Sequence, residues 1–302
     1  MRILISGGSG LVGRALAREL ESAGHRCDIL SRAPQQSLGA FDRAEVHPWD
    51  ARSVEPLLDL MKGADAVVHL AGENLGAGLW TERRKQRIRD SRVDSTQAIA
   101  EAILRIDTPP AVLVQASAVG FYGPRGDEEV AEDAPAGDDF LAMLCRDWED
   151  ASERVSAAGV RRVVVRSGLV LSGSGGVLPR MTLPFRLFVG GPAGSGRQWI
   201  SWIHLADEAA AIRFLVEEHS AKCVFNLTAS SPVTNREFSR SLGKVLHRPS
   251  LLPVPAFALR GVLGEMADLV LTGQRAVPQR LHELGFRFRF PELEPALEDL
   301  LG

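Results

Sequence analysis

The first thirteen residues limit most tightly what this chain can become. Arg2 to Ser6 is a short apolar run of the kind that forms a strand buried on both faces, and Gly7, Gly10 and Gly13 follow it directly. An amphipathic stretch then begins without a gap, carrying Leu11, Val12, Ala15, Leu16 and Leu20. Strand, glycine turn and helix in that order make a seat for a pyrophosphate. Glycines permit a turn that side chains would block and let backbone approach the anion. The helix adds free N–H groups and the positive end of its dipole. The chain has 29 glycines, so the residue alone discriminates little; the spacing and the place between strand and helix do. Gly7, Ser9, Gly10, Leu11, Val12 and Gly13 are therefore expected to hold a dinucleotide.

Which dinucleotide depends on the end of the next strand. Gly24 reads as the stop of the first helix, and Arg26 to Leu30 forms the second strand. A site for NAD usually carries an acidic residue at that end, about 20 residues past the glycines, for the ribose 2′-hydroxyl. Here Leu30 is followed by Ser31 and Arg32, a hydroxyl and a guanidinium suited to a 2′-phosphate. Asp28 comes too early and in mid-strand. NADP(H) is the expected cofactor, with an ordinary solvated arginine as the alternative role for Arg32.

Composition narrows the partners. At 302 residues, 45% hydrophobic and 24% charged, the chain has room for one large or two modest globular domains. A net charge of −3 gives nucleic acid no electrostatic footing. The basic run Arg83, Arg84, Lys85, Arg87 and Arg89 lacks interleaved aromatics and reads mostly as a solvated helix face. No stretch of about 18 uninterrupted apolar residues suggests a membrane span, and the start has no signal-peptide layout. Cys27, Cys145 and Cys223 are far apart and odd in number, which fits neither a disulfide frame nor a metal site. The expectation is a cytoplasmic protein that takes a small-molecule substrate and no metal.

The Gly-x-x-Gly-x-x-Gly spacing resembles the Thr-Gly-x-x-Gly-x-x-Gly pattern of the extended short-chain dehydrogenases/reductases, with Ser6 in the threonine's place. Later stretches carry the resemblance along nearly the whole chain. Trp49-Asp50 resembles the family position that meets the adenine. Asp65 to Gly72 reads as a fourth strand ending in His-Leu-Ala-Gly, which implies that Leu70, Ala71 and Gly72 lie against the cofactor and that His69 is structural. Val93 to Thr96 resembles Asn-Val-x-Gly-Thr and sets Arg92 where an asparagine sits near the nicotinamide half. Arg92 then reaches a cofactor phosphate or ribose, or serves the structure. Arg166 to Val170 resembles Arg-x-x-x-Val, so Arg166 supports the nicotinamide end or forms a buried ion pair. Gly72 to Asn74, Leu144 to Glu149, Gly194 to Ile200 and the tail from Arg248 to Pro291 resemble an atypical "epimerase family protein" subgroup. Relatives in that subgroup are named sugar-nucleotide epimerases, which implies a nucleotide sugar or another anion as substrate.

The resemblance breaks at the usual catalytic pair. Reductases and epimerases of this type use a tyrosine and a lysine four residues later, which lowers the tyrosine's pKa from about 10. The single tyrosine here is Tyr122, and Gly126 stands four residues on. Counting back from Glu149 puts Leu141 and Cys145 at the two positions. Ser117 to Gly123 resembles the family's Ser-Ser-x-x-Val-Tyr-Gly with one extra residue before Tyr-Gly. On that basis Ser117 and Tyr122 are the candidate catalytic residues, with Cys145, Glu73 or a bound water as other proton routes. The stretch from Ser172 to Arg197 reads as irregular and glycine-rich, with Arg180, Arg186 and Arg197 as candidates for an anionic substrate. His204 reads as structural, Asp207 as the cap of a helix over 208–216, and Thr234 as the cap of the next.

The expected fold is α/β, a Rossmann-type doubly wound parallel sheet with a smaller α-rich C-terminal substrate lobe. Residues 1–171 plus 200–228 would bind NADP(H), and 172–199 plus 229–302 would close over the substrate. The expected function is that of an NADP(H)-dependent oxidoreductase or nucleotide-sugar-epimerase-like enzyme. The alternative is a cofactor-loaded but catalytically inactive sensor or interaction protein.

Overall fold

A computed structural model describes residues 1–37, 39, 41 and 43–302. Its centre is a parallel sheet of β1 (Arg2–Ser6), β2 (Arg26–Ser31), β3 (Glu45–Pro48), β4 (Ala66–His69), β5 (Val112–Ala118), β6 (Arg161–Ser167) and β7 (Cys223–Leu227). The strand order is β7-β6-β5-β4-β1-β2-β3, and each of these pairings is parallel. The order reverses at β1, which pairs with β2 on one side and β4 on the other. In such sheets the crevice above the carboxyl ends at that point is where ligands bind.

The helices follow as α1 (Leu11–Ser22), α2 (Glu55–Met61), α3 (Glu82–Arg105), α4 (Phe140–Asp150), α5 (Leu178–Arg186), α6 (Leu205–Glu217), α7 (Asn235–Val245), α8 (Ala256–Leu263) and α9 (Leu293–Leu301). The strands are apolar on both sides because helices cover both faces. Ile3, Ile5 and Val68 pack with Leu16 and Leu20 of α1 and Ile212 of α6. Leu4, Val67 and Leu113 pack with Met61 of α2 and Ile99 and Ile103 of α3. Two helix starts carry side-chain caps on threonine. Thr81 Oγ1 accepts the Arg84 N–H at the start of α3. Thr234 and Glu237 form a reciprocal capping box on α7.

Two local expectations need correction. The stretch from 172 to 197 is not irregular throughout: it contains α5, which has Pro179 in its first turn, where a missing N–H leaves nothing unsatisfied. The next helix, α6, starts at Leu205 rather than 208. Its cap is His204, whose Nδ1 accepts the Ala206 N–H, 3.0 Å away. Asp207 lies inside the first turn, and its carboxylate accepts the backbone N–H groups of Arg289 and Phe290 instead.

A third core joins the carboxyl-terminal part to the sheet domain. Leu171, Trp202, Phe238, Leu242 and Leu297 are buried together with Leu178 and Phe185 of α5. Short pairings stitch this region: Leu169–Leu171 runs parallel to Trp202–His204, and Trp199–Ile200 antiparallel to Val233–Thr234. Among the described residues no helix is long and apolar enough to cross a membrane.

Candidate functional site

The turn between β1 and α1 is too tight for side chains. Gly7 adopts φ +71°, and a Cβ placed on it would sit 2.6 Å from the Leu70 carbonyl carbon. A Cβ on Gly13 would lie 2.5 Å from the Gly7 oxygen and the Gly8 Cα. The Gly10 N–H donates to the Gly7 carbonyl at 3.0 Å, closing the turn. No side chain caps α1 and no carboxylate sits in its first turn, so Leu11 and Val12 head a helix whose positive end is open to an anion. Ser9 lies in the turn and its carbonyl accepts from Arg14 Nε. Leu70 and Ala71 lean on Gly7 from the end of β4. Gly72 backs onto Arg92, whose Cζ would be 3.2 Å from an added Cβ.

At the end of β2, Ser31 is buried and its Oγ accepts the Ala33 N–H, while Arg32 is exposed. Asp28 is not free for a ribose, since it is buried and ion-paired with Arg2 at 2.6 Å. Trp49 belongs to the core, and Asp50 accepts the Arg52 and Ser53 N–H groups. These parts can seat a diphosphate at the glycine turn and a further phosphate at Arg32. His69 is held inside by Ser6 and by Thr96 Oγ1 at 2.9 Å, and burial pushes its pKa down to about 3, so it stays neutral.

Ser117, Tyr122 and Arg166 do come together, but in a buried network. Arg166 binds both Glu149 carboxylate oxygens at 2.8 Å through Nε and Nη2. Its Nη1 donates to the Tyr122 hydroxyl at 3.0 Å, and its Cζ lies 3.3 Å from the centre of the Phe121 ring. Tyr122 is fully buried, donates to Asn226 Oδ1 at 2.7 Å, and has its pKa raised by that burial. Ser117 Oγ donates to Glu149 Oε1 at 2.6 Å. The geometry turns Ser117 and Tyr122 away from the expected catalytic role and gives Arg166 the ion pair, one of the two roles expected of it. Ser117 and Tyr122 face the interior rather than a reactant, and Arg166 is the buried ion pair, with no nitrogen left for a cofactor. The physical reason is strand alternation. Successive residues of β5 point to opposite faces, so Ser117 turns towards α4 and its neighbour Ala118 meets the cleft.

That cleft, about 350 Å³, lies between the ends of β5 and β6, α4, and residues 268–274. Leu141 and Cys145, the positions counted back from Glu149, both line it. Burial pushes the Cys145 thiol up to about 12, so it is neither base nor nucleophile near neutral pH. Ser167 also lines the cleft and donates to Glu208 at 2.5 Å; burial pushes that carboxyl up to about 8. Arg92 enters the cleft from α3, 8% exposed, with Nη1 on the Ile88 carbonyl and Nη2 on the Glu73 carbonyl, each at 3.0 Å. The Glu73 carboxylate pairs with Arg84. Arg180, Arg186 and Arg197 are exposed and absent from the lining, Arg180 donating to the Gly76 carbonyl at 3.3 Å. Sequence reasoning missed Ala118, Met181 and Glu208. Only Glu208 left a signal, an acid within an apolar helical stretch.

Comparison with known proteins adds the context. Residues 3–228 match the NAD dependent epimerase/dehydratase family, and residues 254–300 match a domain of unknown function. The mouse epimerase family protein SDR39U1 is 39% identical over the whole of both chains. The crystal structure of human epimerase family protein SDR39U1 with NADPH aligns over 99% of each chain, at 36% identity and a TM-score of 0.89. A nucleoside-diphosphate sugar epimerase from Corynebacterium glutamicum aligns with all of this chain and 58% of its own, at 36% identity and a TM-score of 0.80.

Proposed function

The chain belongs to the NAD dependent epimerase/dehydratase family, and from that premise we propose that it binds NADP(H) and acts as an oxidoreductase or epimerase-like enzyme on a small molecule. The observation that carries the reading is the pairing of a side-chain-free phosphate turn with an exposed Arg32 after Ser31. A guanidinium there matches a 2′-phosphate through paired hydrogen bonds. The human relative crystallised with NADPH supports the same choice. The bound cofactor supplies or accepts the hydride. The chain's residues orient it: the glycine turn takes the diphosphate, and Leu70, Ala71 and Gly72 offer flat backbone beside it. Residues 1–171 plus 200–228 form the cofactor part in this reading, and 172–199 plus 229–302 the part facing the substrate.

The usual Tyr-x-x-x-Lys pair is missing from the sequence, so proton transfer falls to another group. Ser167 is the hydroxyl in the cleft with a proton reserve behind it. Below about pH 8 Glu208 holds a proton, and the two side chains share a hydrogen bond at 2.5 Å. A second reading, a cofactor-loaded sensor without turnover, is favoured by the burial of Ser117 and Tyr122 away from the cleft.

Titration of cofactor-stripped protein with NADPH and NADH, followed by nicotinamide fluorescence, tests the proposal. NADPH should bind at least about tenfold tighter. Arg32→Ala should weaken NADPH by about ten- to a hundredfold, the value of a charged hydrogen bond, and leave NADH unchanged. Equal affinity for both cofactors would overturn it. Nucleotide sugars and carbonyl compounds are then added to the NADPH complex. Loss of fluorescence identifies an enzyme, and tight binding without loss across the panel favours the sensor.

A further inference from the structure

The cleft contains a buried cation that no anion balances. Arg92 is 92% shielded from solvent, and two carbonyls occupy two of its five N–H groups. Among the described residues no carboxylate pairs with it, because Glu73 turns its acid to Arg84. A guanidinium so placed keeps its charge near neutral pH even though burial lowers its pKa to about 10. Holding it unpaired is unfavourable unless a ligand brings the counter-charge. The Trp148 ring centre lies 5.0 Å from Cζ, and a Cβ added to Gly72 would lie 3.2 Å from it.

The walls around this cation are apolar. Leu75, Leu141, Leu144, Met181 and Val270 line the same cleft as Arg92. Most polar groups at the edge already have partners within the protein. Ser167 bonds Glu208, Asn235 Oδ1 accepts the Ala193 N–H, Asp139 caps α4 and Asp268 pairs with Arg260. A nucleotide sugar would bring two phosphates and a set of sugar hydroxyls to a cleft with one guanidinium. The volume, about 350 Å³, is near the low end for ligand pockets, and a nicotinamide ring would take part of it.

We propose that the substrate is a monocarboxylate with an apolar body, its carboxylate paired to Arg92 and its chain against the wall that runs to Met181 and Val270. This specifies the substrate class of the NADP(H) site proposed above and rests on that reading. The test is calorimetric titration of the NADPH-loaded protein with decanoate, decanol and UDP-glucose. Decanoate should bind at least about tenfold tighter than decanol, the worth of charge-assisted hydrogen bonds to one guanidinium, and UDP-glucose should bind more weakly still. Arg92→Gln should remove that preference for decanoate while NADPH affinity stays within about twofold. Decanol binding as tightly as decanoate would overturn the inference, as would UDP-glucose binding more tightly than either. So would an Arg92→Gln protein that loses NADPH and keeps decanoate. If Arg92→Gln does not fold, the three ligands on the wild type decide. A wild type that takes decanoate but no NADPH would refute the cofactor reading and with it decanoate's standing as a substrate, leaving only a carboxylate site at Arg92.

Discussion

Two glycine-bearing segments follow central strands of the sheet, and they work in opposite ways. After β1, backbone does the work: Gly7 and Gly13 leave no room for a Cβ, and the start of α1 is uncapped. After β5, in the stretch from Ser117 to Gly123, side chains matter, and the most reactive ones turn inward. Ser117 and Arg166 converge on Glu149, Tyr122 is held by Arg166 and Asn226, and the network ties β5, α4 and β6 together, while Ala118 and Gly120 face the cleft. A function carried by backbone tolerates no substitution and so leaves a fixed pattern. One carried by side chains depends on a register that a one-residue shift reverses.

The largest test of this contrast is Arg166→Met. If the network is structural, the variant strands the buried Glu149 carboxylate and loses about 3–5 kcal/mol of stability in urea unfolding, while NADPH affinity changes less than about twofold. An affinity loss without a stability loss would place Arg166 in the cofactor site and erase the contrast.

Glu208 sharpens the side-chain half through pH. Burial holds its carboxyl at about 8 against an ordinary 4.5, so the native protein keeps a proton that the unfolded chain has released. Stability from this group is therefore full below pH 4.5 and falls as pH rises towards 8. Glu208→Gln should flatten that decline, gaining up to a few kcal/mol at pH 8.5 and little at pH 5, as read from melting curves at the two values. Equal gains at both pH values would mean the carboxyl is not held protonated. The smallest stability effect belongs to the backbone half. Gly13→Ala forces a Cβ against backbone 2.5 Å away and should lower stability by about 1–3 kcal/mol. Its diagnostic readout is NADPH, expected to bind at least about tenfold more weakly; unchanged affinity would show that the turn does not touch the cofactor.

The same distinction explains what was legible in the sequence. β1 spans the apolar run from Arg2 to Ser6 as expected, and Arg26 to Leu30 needed only Ser31 added. Thr234 announces its helix through a capping box four residues long. Asp207 misled because an acid at a helix start has two uses, capping its own helix or receiving a distant segment, and only tertiary structure selects the second. α5 was hidden among glycines because its stability comes from Leu178 and Phe185 in a core completed by residues far along the chain. Ser117 and Tyr122 sat in a recognisable segment, yet the facing of Ser117 was set by the pairing of β5 with β6 and that of Tyr122 by its bonds to Arg166 and Asn226, which periodicity over a few residues does not reveal.

The docking of α9 has a consequence for the order of events during synthesis. Asp207 receives the Arg289 and Phe290 amides, Gly173 lies so close to Leu300 that a Cβ has no room, and Leu297 completes the core around Trp202 and Phe238. Residues 289–301 are therefore the lid of a core whose other walls come earlier in the chain. A nascent chain can pair β1 with β2 and β4 long before α9 is made, but it waits with Trp202 and Phe238 uncovered until α9 leaves the ribosome. In that interval the chain presents an apolar surface that chaperones bind and aggregation exploits. Premature termination near residue 290 should for this reason be more damaging than its distance from the cofactor turn suggests.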